Sequence, residues 1–526
     1  MEIGKLEVVG TVGLILFCVF MKYLLDLIWL KPLGMRKKLE KQGISGPSPL
    51  FLMGNASEMK EIIRECGLSK AAQAIKPDEI TGHGYAPSLF PYWEKWAQQY
   101  GPLYMYSTGN KVHLYVNSPK LVKEMSLCMS WNLGKALYLA KSVRPLLGDG
   151  VIRSNGKSWA DQRKIIAPEF YMDKVKGMIG LMMESVVPLL KKWEESIQNG
   201  GGIAEIKVDQ DLRNLSADVI SRACFGSCYL RGKEIFSKLK DLKNIISSSG
   251  FLFNLSNFGF LPTKRNRSTW KLQKEIDSLI MKVMDQSSEG LASGQSESDD
   301  HLLQALMKGA KRECPGLTLS SDFLIDNCKN IYFAGHDTTA ITSTWCLMLL
   351  ALNPEWQDRL RAEIFEICGD SLPDADALNK MKLTKMVIQE TLRLYPPSPL
   401  ISREVLEDTK LGDLEIPKGV YLWTSVSGLH QNQDIWGPDA DKFKPERFAN
   451  GISEACKLPQ GYIPFGMGAR VCLGQNFAMF ELKLILSLIV SRFSFSLSPN
   501  YKHLPAYRMT VEPAYGVDLL VSKVNY

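Results

Sequence analysis

No CxxC pair occurs in this chain of 526 residues, whose eleven cysteines are scattered singly at Cys18, Cys66, Cys128, Cys224, Cys228, Cys314, Cys328, Cys346, Cys368, Cys456 and Cys472. That pattern argues against a zinc framework and for a reducing compartment. Histidines are few: the six present include no pair spaced i,i+4, so spacing shows no His-based metal site. Also missing after residue 50 are a low-complexity linker and an internal repeat, so the roughly three domains that length alone suggests find no boundary. The formal +7 is too diffuse for nucleic acid and suits a body beside an anionic membrane face or an acidic partner. What remains is a globular balance, 45% hydrophobic and 23% charged, with ample material for a large core.

Val8 to Met21 is free of charge, and Tyr23 to Leu30 prolongs it past Lys22 with one acid, Asp26. Together these stretches reach the roughly 20 residues that a bilayer span requires. No clear small-residue cleavage site follows and the apolar residues wrap all faces, so residues 1–30 are expected to be a retained single-pass anchor rather than a signal peptide or an interfacial helix. Lys31, Arg36, Lys37, Lys38 and Lys41 come next, which by the positive-inside rule puts the body in the cytosol. The Asn-x-Ser sequons at Asn55, Asn214, Asn254 and Asn266 should then stay unmodified. Gly43, Gly46, Pro47 and Pro49 cannot continue a helix, so 31–50 reads as a basic, proline-containing hinge and 51–526 as one globular domain.

Within that body Tyr104 to Tyr106 and Val112 to Val116 form a plausible hairpin around Ser107 to Lys111. Helical spacing of apolar residues predicts helices over Trp159 to Ile166, Val175 to Ser196, Val208 to Cys224, Leu272 to Met284, Phe323 to Leu352, Pro354 to Cys368 and Lys385 to Leu394. Gln286 to Asp300, polar and Ser-rich, reads as a surface loop. The fold class is therefore mainly α with small β-sheets.

The densest chemistry lies in Pro464 to Glu481, P-F-G-M-G-A-R-V-C-L-G-Q-N-F-A-M-F-E. Glycines 466, 468 and 474 let the backbone turn tightly and approach something bulky, and from Leu473 onward the apolar spacing is helical. Cys472 thus sits where a glycine-rich loop enters a helix, and free N–H groups and the macrodipole favour a thiolate there. Such a thiolate can ligate iron; the plainer alternative is an inert buried thiol. Ala334 to Thr339, A-G-H-D-T-T, is locally unfavourable inside a long helix, because glycine costs about 1 kcal/mol against alanine and a threonine hydroxyl can bond the carbonyl one turn back. Taken alone, its D-T-T could equally be a helix cap.

The string F-G-x-G-x-R-x-C-x-G, Phe465 to Gly474, resembles the haem-binding loop of the cytochrome P450 haem-thiolate monooxygenases. That resemblance implies the cytochrome P450 fold, behind a single transmembrane helix, and haem b with Cys472 as its axial iron ligand. It places Phe465, Arg470 and Gly474 at the cofactor, Arg470 on a propionate. The W-x-x-x-R pair Trp159 and Arg163 implies further propionate binding, as does Arg403 after the Pro-rich turn Tyr395 to Pro399, since a guanidinium pairs two carboxylate oxygens at once. A-G-H-D-T-T is similar to the family's oxygen-activation motif, in which Gly335 leaves room for dioxygen and Asp337 with Thr338 delivers protons; His336 has no role there. E-x-x-R and P-E-R-F match Glu390, Arg393 and Arg447, a buried structural triad that fixes the cysteine loop.

Details such as G-I-S-G-P-S-P after the anchor resemble plant endoplasmic-reticulum members, nearest the elongated-uppermost-internode type of gibberellin oxidases. The implied reaction is hydroxylation or epoxidation of a terpenoid, first a gibberellin-type diterpenoid acid, otherwise a triterpenoid or steroid. Electrons would come from NADPH through NADPH-cytochrome P450 reductase, meeting the chain near Lys164, Lys442 and Lys444. Pocket segments by family position are Trp131 to Leu147, Phe251 to Phe260 and Ser398 to Ser402. Lys135, Lys141 and Arg144 in the first of them are candidates for a substrate carboxylate, or exposed cations. Two other classes compete: an isomerase or dehydratase that uses no dioxygen, which would lack the threonine present at 338, and a haem carrier without turnover.

Overall fold

The computed structural model of the chain describes residues 2–68, 74–128, 131–225, 229–247, 261–292, 302, 306 and 321–524. Among these, one helix is long and apolar enough to cross a membrane, within Thr11–Glu40, and none of its apolar window is buried. It fits a single-pass anchor. An α-helix Glu2–Leu25 runs through a π-turn Asp26–Leu30 into a helix Lys31–Glu40. Pro32 explains the turn: lacking an N–H, it crowds the carbonyl four residues back, at Ile28, and one wider turn relieves the clash. Helix therefore covers the first half of the expected hinge, and the chain leaves helical geometry only after Glu40. Arg36, counted above with the basic flank, is buried and donates to the Pro47 carbonyl and the Ser107 hydroxyl.

The chain divides into two compact units. The first comprises Met1–Ala71, Phe90–Ala136 and Ser402–Thr424. Its five-stranded sheet is built on the antiparallel hairpin Leu103–Thr108 with Lys111–Val116, whose register pairs Leu103 with Val116. Both strands are buried along nearly their whole length, so they read as continuous β-prone runs rather than alternating ones. Aromatic packing fills this unit, with Trp93 within 5.5–5.6 Å of Tyr115 and Trp423, and Tyr104 stacked on Tyr115 at 4.7 Å.

The second unit, Ala72–Leu89, Leu137–Ile401 and Ser425–Tyr526, is helical apart from a three-stranded and a two-stranded sheet. Its axis is the helix Ser321–Leu352, buried without interruption from Thr339 to Ala351. A helix apolar all round needs neighbours all round. They are Val208–Phe225, Lys382–Leu394 and Gln475–Val490. The predicted helices are found here, but Val175 to Ser196 is two, Met172–Gly177 and Ile179–Asn199, parted at Met178. Lys264–Ala292 continues as helix into the stretch read as a surface loop; residues 293–300 lie outside the described residues, as does the candidate pocket segment Phe251 to Phe260.

Candidate active site

The loop of Cys472 is a set of tight turns. Gly466 and Gly468 have φ of 77° and 62°, which side chains seldom adopt, and the Cys472 N–H donates to the Phe465 carbonyl at 2.9 Å. Gly474 then caps the helix Gln475–Val490. A Cβ at Gly474 would meet nothing within 4 Å, so its smallness leaves room beside the sulfur rather than serving a turn. The Cys472 thiol is accessible, yet enough protein surrounds it that burial pushes its pKa up; the Gly474 N–H and Arg163 oppose that shift.

Trp159 and Arg163, one turn apart on the helix Gly156–Ile166, stand at this loop. Arg163 donates to the Val471 carbonyl at 3.0 Å, and the Arg470 guanidinium lies over the Trp159 ring at 4.4 Å. Arg470 also donates to the Ser154 carbonyl at 3.1 Å and to Asn155 at 2.8 Å. An accessible thiol, two guanidinium groups, an indole and an empty glycine face suit a flat, anionic prosthetic group bound through iron. Among the described residues no group of three or more His, Cys, Asp and Glu could hold a metal ion. Arg403 belongs to the other unit, where it is buried, donates to the Ser402 carbonyl at 2.9 Å, and is lowered to about 10 by burial.

In the long helix Thr338 is partly accessible, and its hydroxyl donates to the Ala334 carbonyl at 2.6 Å. Gly335 is placed otherwise than expected. A Cβ there would come within 2.7 Å of the Ile220 side chain, so glycine permits close approach of the helix Val208–Phe225, not space for a small molecule. Asp337 is buried in a cluster that sequence reasoning missed. It accepts from Arg213, from Lys243 at 2.6 Å and from Thr510 at 3.0 Å, while Arg213 and Lys243 also reach Glu512 at 2.7 and 3.3 Å. Burial alone would raise the Asp337 carboxyl, but Lys243 and then Arg213 hold it well below the usual carboxylate range.

Glu390 and Arg393 are fully buried and joined by two bonds of 2.7 and 2.8 Å, with Arg447 at 3.5 Å. Arg393 further donates to the carbonyls of His430, Ala440 and Lys442. His430 in turn accepts from the Ile463 N–H at 2.9 Å, two residues before Phe465, so the ion pair braces the start of the cysteine loop through one imidazole. Glu481, also missed, is buried on the helix that follows Cys472; burial pushes it up to about 8 despite hydrogen bonds from Ser216 and Thr339. Arg144 pairs with Asp149 at 3.1 Å and is exposed, as is Lys141.

Residues 84–519 match the family "Cytochrome P450". The chain is similar to cytochrome P450 714A2 of Arabidopsis thaliana, 48% identical over 498 residues that cover 93% of each. To cytochrome P450 714B3 of Zea mays it is 46% identical, over 97% of this chain and 94% of that one. With cytochrome P450 714C2 of Oryza sativa subsp. japonica the figures are 47% and 96% of each.

Proposed function

This chain belongs to the cytochrome P450 family and is a haem-thiolate monooxygenase, and from that premise we propose that its substrate is a gibberellin-type diterpenoid acid. The observation that carries the haem part of this reading is the accessible Cys472 thiol, with Arg163, Arg470 and Trp159 around it and open space at Gly474. Cys472 would be the thiolate that holds the iron, and Trp159, Arg163 and Arg470 would hold the propionates; for Arg403, in the other unit, the same role rests on the resemblance alone. The bound haem supplies the centre at which dioxygen is activated and one of its oxygen atoms is passed to the substrate. Thr338 and Asp337 would hold and pass the protons this needs, and the Thr338 hydroxyl argues against an isomerase. NADPH-cytochrome P450 reductase would bring the electrons.

The exposed apolar helix would lie in the endoplasmic-reticulum membrane with the body in the cytosol, its sequons unmodified. Asn55 could not be glycosylated in the folded chain in any case, because it is buried and donates to the Ser48 carbonyl. The substrate reading rests on the family group of the relatives and on the resemblance to gibberellin oxidases. Its test is a binding screen on the haem-loaded protein, read by the shift of haem absorption, of diterpenoid acids, their methyl esters, triterpenoids and steroids. Free acids should bind about tenfold or more tighter than esters, the scale of one charge-assisted contact. Tight binding of neutral sterols without preference for acids would move the reading to the steroid branch.

A further inference from the structure

On another face of the long helix from Ala334 and Thr338, Phe333, His336 and Asp337 share a surface by their three- and four-residue spacing. This surface borders a cavity of about 250 Å³. The helix Tyr229–Ser247 supplies Phe236, Leu239, Lys240 and Lys243 to its wall, and the turn at Arg508 closes another side. The lining is cationic. To the Arg213 and Lys243 already described it adds Lys207, Lys240 and Arg508, against the carboxylates of Asp209, Asp337 and Glu512. Lys240, three residues from Lys243 on the same helix and exposed, pairs with no carboxylate among the described residues. Arg508 is exposed and pairs with Glu512 Oε1 at 3.2 Å, on a carboxylate whose other oxygen already serves Arg213 and Lys243. The turn that presents it is strained: the Arg508 N–H donates to the Thr510 carbonyl, and Met509 between them has φ of 67°.

We propose that this cavity, which borders the haem site through the shared residue Asp337 but does not include Cys472 or Thr338, is a second binding site, for a small organic carboxylate. Its carboxylate sits on Lys240 and Arg508, and its apolar body lies against Phe236, Leu239 and Phe333. Charge and shape both point to that class. Surplus cations call for an anion, but three carboxylates in the same wall repel a dianion more than a monoanion, and the aromatic side gives inorganic phosphate nothing to contact.

The test uses the full, haem-loaded chain and calorimetry with 3-phenylpropanoate, its neutral amide and inorganic phosphate. The acid should bind without shifting haem absorption, and about tenfold or more tighter than the amide or phosphate. Lys240→Glu should weaken it by a similar factor while leaving the haem-site binding of diterpenoid acids unchanged; Arg508→Gln, also at an exposed side chain, is the second variant. Equal binding of the amide, equal binding of phosphate, a haem absorption shift on adding the acid, or undiminished binding in both variants would each overturn the proposal.

Discussion

Glu390 and Arg393 meet within one turn of one helix, whereas Asp337 meets Arg213, Lys243 and Glu512 from three other segments. Both clusters are buried, yet their surroundings differ. Around Arg393, the backbone carbonyls of His430, Ala440 and Lys442 complete the guanidinium, and both side chains of the pair are fully buried. Around Asp337 the charges share partners, border a cavity and include surplus cations. A clamp whose members have one arrangement fixes a loop; a cluster that water can reach and that can re-pair is suited to adjust. Burial of charge alone therefore does not tell a structural group from a working one, and the number of alternative partners does.

The sharpest way to break this contrast is to remove one carboxylate from each cluster. Glu390→Ala strands Arg393 where no water can replace the lost partner, a loss of about 3–5 kcal/mol. That is a large part of a typical folding free energy of roughly 5–15 kcal/mol, so haem-loaded protein should scarcely accumulate. Glu512→Ala should cost only about 1–2 kcal/mol, because Asp337 remains for both cations. Denaturation midpoints and haem content of the two variants decide it; equal losses would dissolve the distinction.

Acid should sharpen it. His430 at the first cluster is lowered to about 3, by burial and then Arg393, and His336 beside the second to about 4, by burial with Asp337 opposing. Burial likewise lowers His83 and His113 to about 3 and His503 to about 4. Each stays neutral when folded but takes up a proton below about 6.5 when unfolded, so its contribution is present above that pH and lost as pH falls toward the folded value. Glu481 works in the other direction: raised to about 8, it is lost as pH rises through that value. Five groups outweigh one, and the chain should be roughly 3 kcal/mol less stable at pH 5.5 than at 6.5, measured by denaturant titration.

Smaller in stability is Thr338→Ala, since the hydroxyl returns only one bond, to its own helix, and its loss costs about 1 kcal/mol or less. Its effect should instead appear in chemistry, with haem and substrate binding kept but electrons diverted from product to peroxide. Unchanged product per NADPH would remove Thr338 from proton delivery.

The contrast also explains what could be read from sequence. Glu390 and Arg393 are three residues apart, so helical geometry alone makes them neighbours, and Trp159 with Arg163 follows the same rule. Arg213 and Lys243 precede Asp337 by 124 and 94 positions and Thr510 follows it by 173, with Glu512 two residues further on, and no local period links them. Gly335 shows a subtler failure: the sequence announces that a side chain is missing, but which neighbour fills the space is decided by the packing of Ile220. Helix continuing to Glu40 was hidden because a basic run looks like a flank, while Arg36 turns its guanidinium into the fold.

The smallest expected effect tests whether the first cluster can be separated from the surface above it. Lys444 contributes to both: its backbone N–H donates to Glu390 at 2.8 Å, and its ammonium pairs with Asp439 at 3.1 Å. Lys442 is similarly paired, with Asp441 at 3.3 Å, so much of the positive field expected to meet an acidic reductase is already offset. Exposed pairs of this kind are worth about 0–1 kcal/mol, and rim charges act mainly on encounter rates. Lys444→Gln keeps the backbone bond to Glu390 and removes only the surface charge. Haem content and stability should therefore stay as they are, while reduction by the flavoprotein slows about twofold to threefold at low salt, a difference that screening erases toward 1 M, where the Debye length is about 3 Å. Rates insensitive to ionic strength would remove this surface from electron entry, and a loss of haem would show that the side chain at 444 belongs to the clamp itself.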